Sequence, residues 1–133
     1  MTDIQYLSVE DVLRIRDQVA AAEHDTFEIL RFQQLLSALA TPFQSLFGEE
    51  IFPTLCAKAG MLLTGIVRNH PFWDGNKRIA LAITSEFLRR NGYTLDVSPA
   101  EAREFTTKLA TNTATSDDAR IWIEQHTQAH NQE

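Results

Sequence analysis

Pro42, Pro71, Gly92 and Pro99 cut this chain into segments whose apolar residues recur at helical spacing, and that punctuation leaves room for little except a bundle of helices. Ser8 stands where a helix N-cap belongs, with Asp11 at the third helical position and Leu7 placed to staple onto Val12. Val9, Val12, Leu13, Arg16 and Val19 then mark a first helix over Val9–Ala22. Ile29, Phe32, Leu35, Leu36 and Leu39 predict a second, which ends near Ala40 because Pro42 biases Thr41 out of helical geometry. After a connector holding Gly48 and Pro53, a third stripe runs through Leu55, Ala59, Leu62, Leu63 and Ile66 until Pro71 stops it. Gly75 opens the longest pattern, with Ile79, Ile83 and Phe87 spaced by four, and Asn91-Gly92 closes it as a left-handed cap.

The rest of the chain is shorter in its signals. Tyr93 to Val97 alternates apolar and polar residues, but a lone strand leaves its backbone unpaired, so a short partner is expected, with Ile4 to Leu7 the candidate. Ser98-Pro99-Ala100-Glu101 is a capping box leading a helix that buries Ala102, Phe105 and Leu109. Ser116 is expected to cap a last helix with Asp117 and Asp118 in its first turn and Ala119, Trp122, Ile123 and His126 along it. These segments predict an all-α, compact bundle of about six helices, with at most a minor strand pairing. One domain is expected over residues 1–126, followed by a frayed polar tail over 127–133.

Composition narrows the function classes. With 133 residues, 44% hydrophobic and 23% charged, the chain can bury a core without disulfides or structural metal. The lone Cys56 has no second cysteine to pair with and reads as a small core residue. No apolar run approaches the roughly 20 residues needed to span a bilayer, and the opening MTDIQYLSVED lacks the features of a signal peptide, so a cytoplasmic protein without membrane contact is expected. A net charge of -6 argues against direct nucleic-acid binding. Residues 68–90 nevertheless carry Arg68, Lys77, Arg78, Arg89 and Arg90 against Asp74 and Glu86, which is +3 there and -9 elsewhere. An acidic body with one basic segment predicts a focused anion site.

Within that segment, Arg68-Asn69-His70-Pro71-Phe72-Trp73-Asp74-Gly75-Asn76-Lys77-Arg78 lies between two predicted helices. The first turn of a helix points unpaired N–H groups outward and carries the positive end of the dipole, so it accepts phosphate. Gly75 lets that backbone approach a ligand, while Lys77 and Arg78 add mobile donors. Asp74 is out of place for anion binding alone, and fits if Mg²⁺ accompanies the phosphates. His70 is an imidazole able to take a proton from a hydroxyl near neutral pH. The set describes nucleotide-dependent group transfer to a hydroxyl. The plain alternatives are that His70 is a cap, Asp74-Gly75 a simple turn, and the three cations a solvated face. Pro71 and Phe72 read as scaffold, and Trp73 fits either an inward or an outward position.

At these residues the chain resembles the Fic/Doc superfamily, whose signature His-x-Phe-x-Asp/Glu-Gly-Asn-x-Arg is matched from His70 through Arg78. Fic proteins usually have Gly after the Asn and a second Arg three residues beyond the first; here those places hold Lys77 and Leu81, which is the death-on-curing, or Doc, pattern. The likeness extends to Ile66–Asn69, to Phe87–Gly92 and back to Tyr6-Leu7-Ser8, and so covers about two-thirds of the chain. The resemblance implies an all-α toxin of a toxin–antitoxin pair that phosphorylates a hydroxyl of elongation factor Tu and halts translation. It implies His70 as base, Asp74 as the Mg²⁺-linked carboxylate, and Gly75, Asn76, Lys77 and Arg78 as the cradle of ATP, with Lys77 turning the γ-phosphate toward the base. Arg68 also matches a family position near the site. Transfer of AMP, and a vestigial site serving only to bind an antitoxin, are the alternatives.

Two features depart from the family. Glu23-His24-Asp25-Thr26-Phe27 stands where many Doc-like chains have a glycine-containing loop. The self-inhibiting motif Ser/Thr-x-x-x-Glu-Gly/Asn is not met, since Ser45 to Glu50 reads SLFGEE, and this favours a separate antitoxin protein. His126 and His130 are spaced for one helix face and form a weak metal candidate; Phe43, Phe47 and Phe52 read as core aromatics of the connector, or as a docking surface for an antitoxin helix.

Overall fold

A computed structural model describes residues 3–130. Six helices dominate: α1 (Val9–Ala22), α2 (Phe32–Ala40), α3 (Leu55–Asn69), α4 (Asn76–Arg90), α5 (Pro99–Ala110) and α6 (Ser116–His126). Two short antiparallel pairs join them, β1 (Ser45–Leu46) with β2 (Glu49–Glu50), and β3 (Tyr93–Leu95) with β4 (Thr127–Ala129). The helical bundle expected from the apolar stripes is what forms.

Helix α3 is the axis of the fold. It is buried almost continuously from Ala57 to Val67, more than one amphipathic stripe would require, because α2, α4, α5 and α6 all pack on it. Its glycines set how closely they approach. A Cβ on Gly60 would stand 2.7 Å from the backbone nitrogen of Arg120, so α6 lies backbone to backbone against it. Lys58 is also enclosed, at 2% exposure, and places its ammonium on Glu50 Oε1 at 2.5 Å and on the carbonyl of Phe52. A buried cation is costly unless paired; here it fastens the β1–β2 hairpin to the central helix.

Capping boxes start three helices: Ser8 with Asp11 for α1, Ser98 with Glu101 for α5, and Thr115 with Asp118 for α6. The last cap is Thr115 and not Ser116, because only Thr115 has an acid three residues on to return the hydrogen bond. Helix α2 begins at Phe32 and not at Ile29, since Ile29 forms a β-bridge with Phe72 and the chain bends at Leu30 before the helix starts. Strand β3 pairs not with Ile4–Leu7 but with Thr127–Ala129, in the register Tyr93 to Ala129 and Leu95 to Thr127. The tail expected to fray from Thr127 is therefore held through Ala129, and His130 donates its N–H to Gly92 O; residues 131–133 lie outside the described part. The N-terminal segment reaches the same region differently, Gln5 exchanging two hydrogen bonds with the Asn91 side chain. Among the aromatics of the connector, Phe43 is partly buried against Phe87, whereas Phe47 is 97% exposed at the hairpin tip. No helix of the described residues is long and apolar enough to cross a membrane.

Candidate active site

The site is built where α3 ends and α4 begins. His70 terminates α3 in the left-handed region, φ 47° and ψ 59°, and Pro71 follows it, so the helix cannot continue. The next residues are pinned from two sides. From outside, the loop after α1 pairs with them: Leu30 and Arg31 donate their N–H groups to Pro71 O, Trp73 donates to Glu28 O, and Arg31 Nη1 donates to His70 O at 3.0 Å. From inside, the Asn76 amide acts as a strand partner for Phe72, accepting its N–H at 3.0 Å and donating to its carbonyl at 2.8 Å. Phe72 is fully buried, with the Arg16 guanidinium 5.8 Å from its ring centre. The turn is thus rigid backbone anchored by one aromatic.

Gly75 caps α4 at φ 74°, a conformation that favours glycine, and a Cβ there would come within 2.6 Å of the Phe27 ring. Phe27 itself is left-handed, φ 47°, and buried. It presses its ring on Gly75 and carries the Arg78 guanidinium 5.3 Å above it. Asp74 Oδ1 accepts the Gly75 N–H at 2.7 Å. The amides of Asn76, Lys77 and Arg78 occupy the first turn of a fifteen-residue helix, where backbone donors have no intrahelical acceptor.

These residues border a cleft of about 800 Å³. One wall is the loop and the α4 entrance, with His70, Trp73, Asp74, Gly75, Asn76, Lys77, Arg78 and Leu81; Glu23 stands at the rim, and the start of α5 forms the opposite wall with Val97, Ser98, Pro99, Ala102, Arg103 and Thr106. His70 and Asp74 therefore share one space. Lys77 reaches across toward Thr107 Oγ1, at 3.4 Å, and Arg78 is paired with Glu23 at 2.9 Å, both side chains about half exposed. Trp73 turns outward, 67% exposed.

Gly75, Asn76, Lys77 and Arg78, the residues expected to form a cradle, all line the cleft, and two of the expected site residues are placed differently from that expectation. Asn76 contributes its position and backbone to the cleft, but its amide is committed to Phe72. Arg68 does not line the cleft; its guanidinium donates to Leu109 O at 3.1 Å and to Ala114 O, tying α3 to the α5–α6 turn. Glu23 and the α5 wall carry no local sequence signal, since they reach the site only through the turn after α1 and the packing of α5. His126 and His130 do not share a helix face: His126 ends α6, with Nδ1 on Trp122 O and Nε2 3.7 Å from Glu101, and His130 lies beyond β4.

A hard cation with phosphates fits the donors present. Among the described residues no group of three His, Cys, Asp or Glu could hold a metal alone, so Mg²⁺ at Asp74 would take its remaining oxygens from phosphate and water, as this ion commonly does.

Comparison with known proteins places the chain beside a defined group. A model of the Fic/DOC family matches residues 6–88. A protein named Toxin Doc from Mycolicibacterium smegmatis is 34% identical over 109 residues, a stretch covering 80% of this chain and 82% of that protein.

Proposed function

The chain belongs to the Fic/DOC family, and from that premise we propose that it is the toxin of a toxin–antitoxin pair, a protein kinase that moves the γ-phosphate of ATP to a hydroxyl of a translation factor. The observation that carries this reading is that His70 and Asp74 border one cleft together with the open first turn of α4. Elongation factor Tu is the expected acceptor, and a separate antitoxin protein the expected partner. Activity of this kind belongs in the cytoplasm.

Each residue then has a task. The α4 amides and Arg78 hold phosphate oxygens, Gly75 lets the backbone come near them, and Lys77 orients the terminal phosphate. Asp74 would hold Mg²⁺, which when bound supplies charge neutralisation across the phosphates. His70 takes the proton of the acceptor hydroxyl as its oxygen bonds to the γ-phosphorus and the bond from that phosphorus to the β–γ bridging oxygen breaks, releasing ADP. Arg68 acts at one remove, by holding α3 against the α5–α6 turn.

Wild type and His70→Ala are incubated with γ-labelled ATP, Mg²⁺ and elongation factor Tu, and the factor is weighed by mass spectrometry. Gain of one phosphate with wild type and none with the variant is expected. Gain of one AMP would establish nucleotidyl transfer instead, and no gain, or equal gain with the variant, would reject the kinase.

A further inference from the structure

We propose that Arg103, on the α5 wall, is a polyphosphate-binding residue that closes the cleft over its ligand from the side opposite α4. The inference rests on the nucleotide reading above and adds a residue that lies outside the His70–Arg78 segment. Of the arginines in the chain, Arg103 alone makes no ion pair and no side-chain hydrogen bond with any described residue. Arg14, Arg16, Arg78, Arg89, Arg90 and Arg120 are each paired with a carboxylate. Arg31 and Arg68 are spent on backbone carbonyls. A guanidinium left unengaged on a surface is ordinary; this one faces the cleft that holds His70 and Asp74.

Its charge decides the sign of that cleft. Two carboxylates, Glu23 and Asp74, and three cations, Lys77, Arg78 and Arg103, line it, which is net +1 over these five groups. Without Arg103 they sum to zero. Moreover, Arg78 gives one nitrogen to Glu23 at 2.9 Å and Lys77 leans to Thr107 at 3.4 Å, so Arg103 is the cleft cation with no donor engaged by the described residues. A monoanion could be satisfied at the α4 mouth by amides alone. A polyphosphate carries several negative charges along a chain, and the α5 wall offers the second contact that such a ligand needs. Because α5 is also fixed to α3 through the Arg68 contact with Leu109 O, the donor is mounted on a rigid element.

The test uses the whole protein and two probes, Mg²⁺–ATP and inorganic tripolyphosphate with Mg²⁺, titrated calorimetrically at several salt concentrations. Arg103→Ala is expected to weaken both probes about tenfold and to lower the salt dependence by about one counterion. Arg103→Lys is expected to recover part of the loss, and Lys108→Ala, an exposed cation of the same helix outside the cleft, to bind as wild type. If wild type binds both probes and Arg103→Ala binds them equally well, the role of Arg103 is rejected while the nucleotide site stands. If wild type binds neither probe, the nucleotide site and this inference fall together. Thermal unfolding of each variant, expected unchanged because Arg103 is exposed and Ala favours helix, separates loss of binding from loss of fold.

Discussion

His70 and Phe72 are two residues apart and do opposite jobs, which makes them separable by substitution. His70 is exposed, sits in the left-handed region at φ 47°, and has only its carbonyl tied down, by Arg31. Replacing it with alanine removes no core contact, and the conformational cost differs little between the two side chains. We expect His70→Ala to abolish phosphate transfer while shifting stability by less than about 1 kcal/mol, read from denaturant unfolding beside the labelling assay. Phe72→Ala empties a fully buried site under the Arg16 guanidinium and should cost about 3–5 kcal/mol, with activity lost because the turn loosens. Gly75→Ala is intermediate in kind. It meets both an unfavourable φ of 74° and a Phe27 ring atom 2.6 Å away, so it should cost about 2–4 kcal/mol and weaken nucleotide binding even where the protein stays folded. Unfolding of His70→Ala to the extent of Phe72→Ala would mean that residue 70 is structural.

Among the helices, two glycines of α3 give a sharper test, because the same substitution five residues apart should differ. A Cβ at Gly60 would stand 2.7 Å from Arg120 N, a backbone atom that moves only if α6 moves; at Gly65 the nearest atom is the Ala38 methyl at 3.4 Å. Overpacking costs roughly 1–3 kcal/mol, against about 1 kcal/mol gained from the helical preference of alanine. Gly60→Ala is therefore expected to lower the unfolding free energy by about 2 kcal/mol and Gly65→Ala to change it by less than about 1 kcal/mol; equal effects would refute close α3–α6 packing. The contrast also marks what the sequence makes legible. Helix starts are written locally: Ser8 with Asp11, Ser98 with Glu101 and Gly75 before Asn76 announce themselves within four residues. The site loop is legible for the same reason, since its residues lie between Arg68 and Arg78. What stays hidden is pairing at long range. Nothing in Thr127–Ala129 names Tyr93–Leu95 as its partner, and nothing in Glu28–Arg31 says that it will leave the helical stripe to strap Pro71–Trp73. Lys58 on an apolar face and Arg68 among carbonyls are hidden likewise, because their partners are set by packing.

Charge is spent across the molecule less simply than its concentration in residues 68–90 suggests. Of the five cations there, only Lys77 and Arg78 line the cleft. Arg89 and Arg90 lie at the other end of α4, about 20 Å away by the rise of a fifteen-residue helix, where they surround Glu86; Arg90 also reaches Asp11 at 3.0 Å. This cluster joins the capping box of α1 to the C-terminal turn of α4, and so makes the bundle sensitive to acid. Hydrogen bonding to Arg89, reinforced by Arg90 and opposed by burial, holds the Glu86 carboxyl at about 2, below its ordinary 4.5. Arg90, the Ser8 amide and Arg14 hold Asp11 well below its ordinary 3.8. Between the ordinary and the lowered values the unfolded chain binds more protons than the folded one, so stability rises with pH across that window and is lost as pH falls from about 4.5 toward 2. Above it the contribution is complete and flat. The groups are partly solvated, so the effect of each is modest. Arg90→Met should therefore lower the melting temperature at pH 7 by a few degrees and flatten its decline between pH 5 and 2, since Asp11 and Glu86 would then titrate nearer their unfolded values. A decline as steep in the variant as in wild type would place the acid sensitivity elsewhere in the molecule.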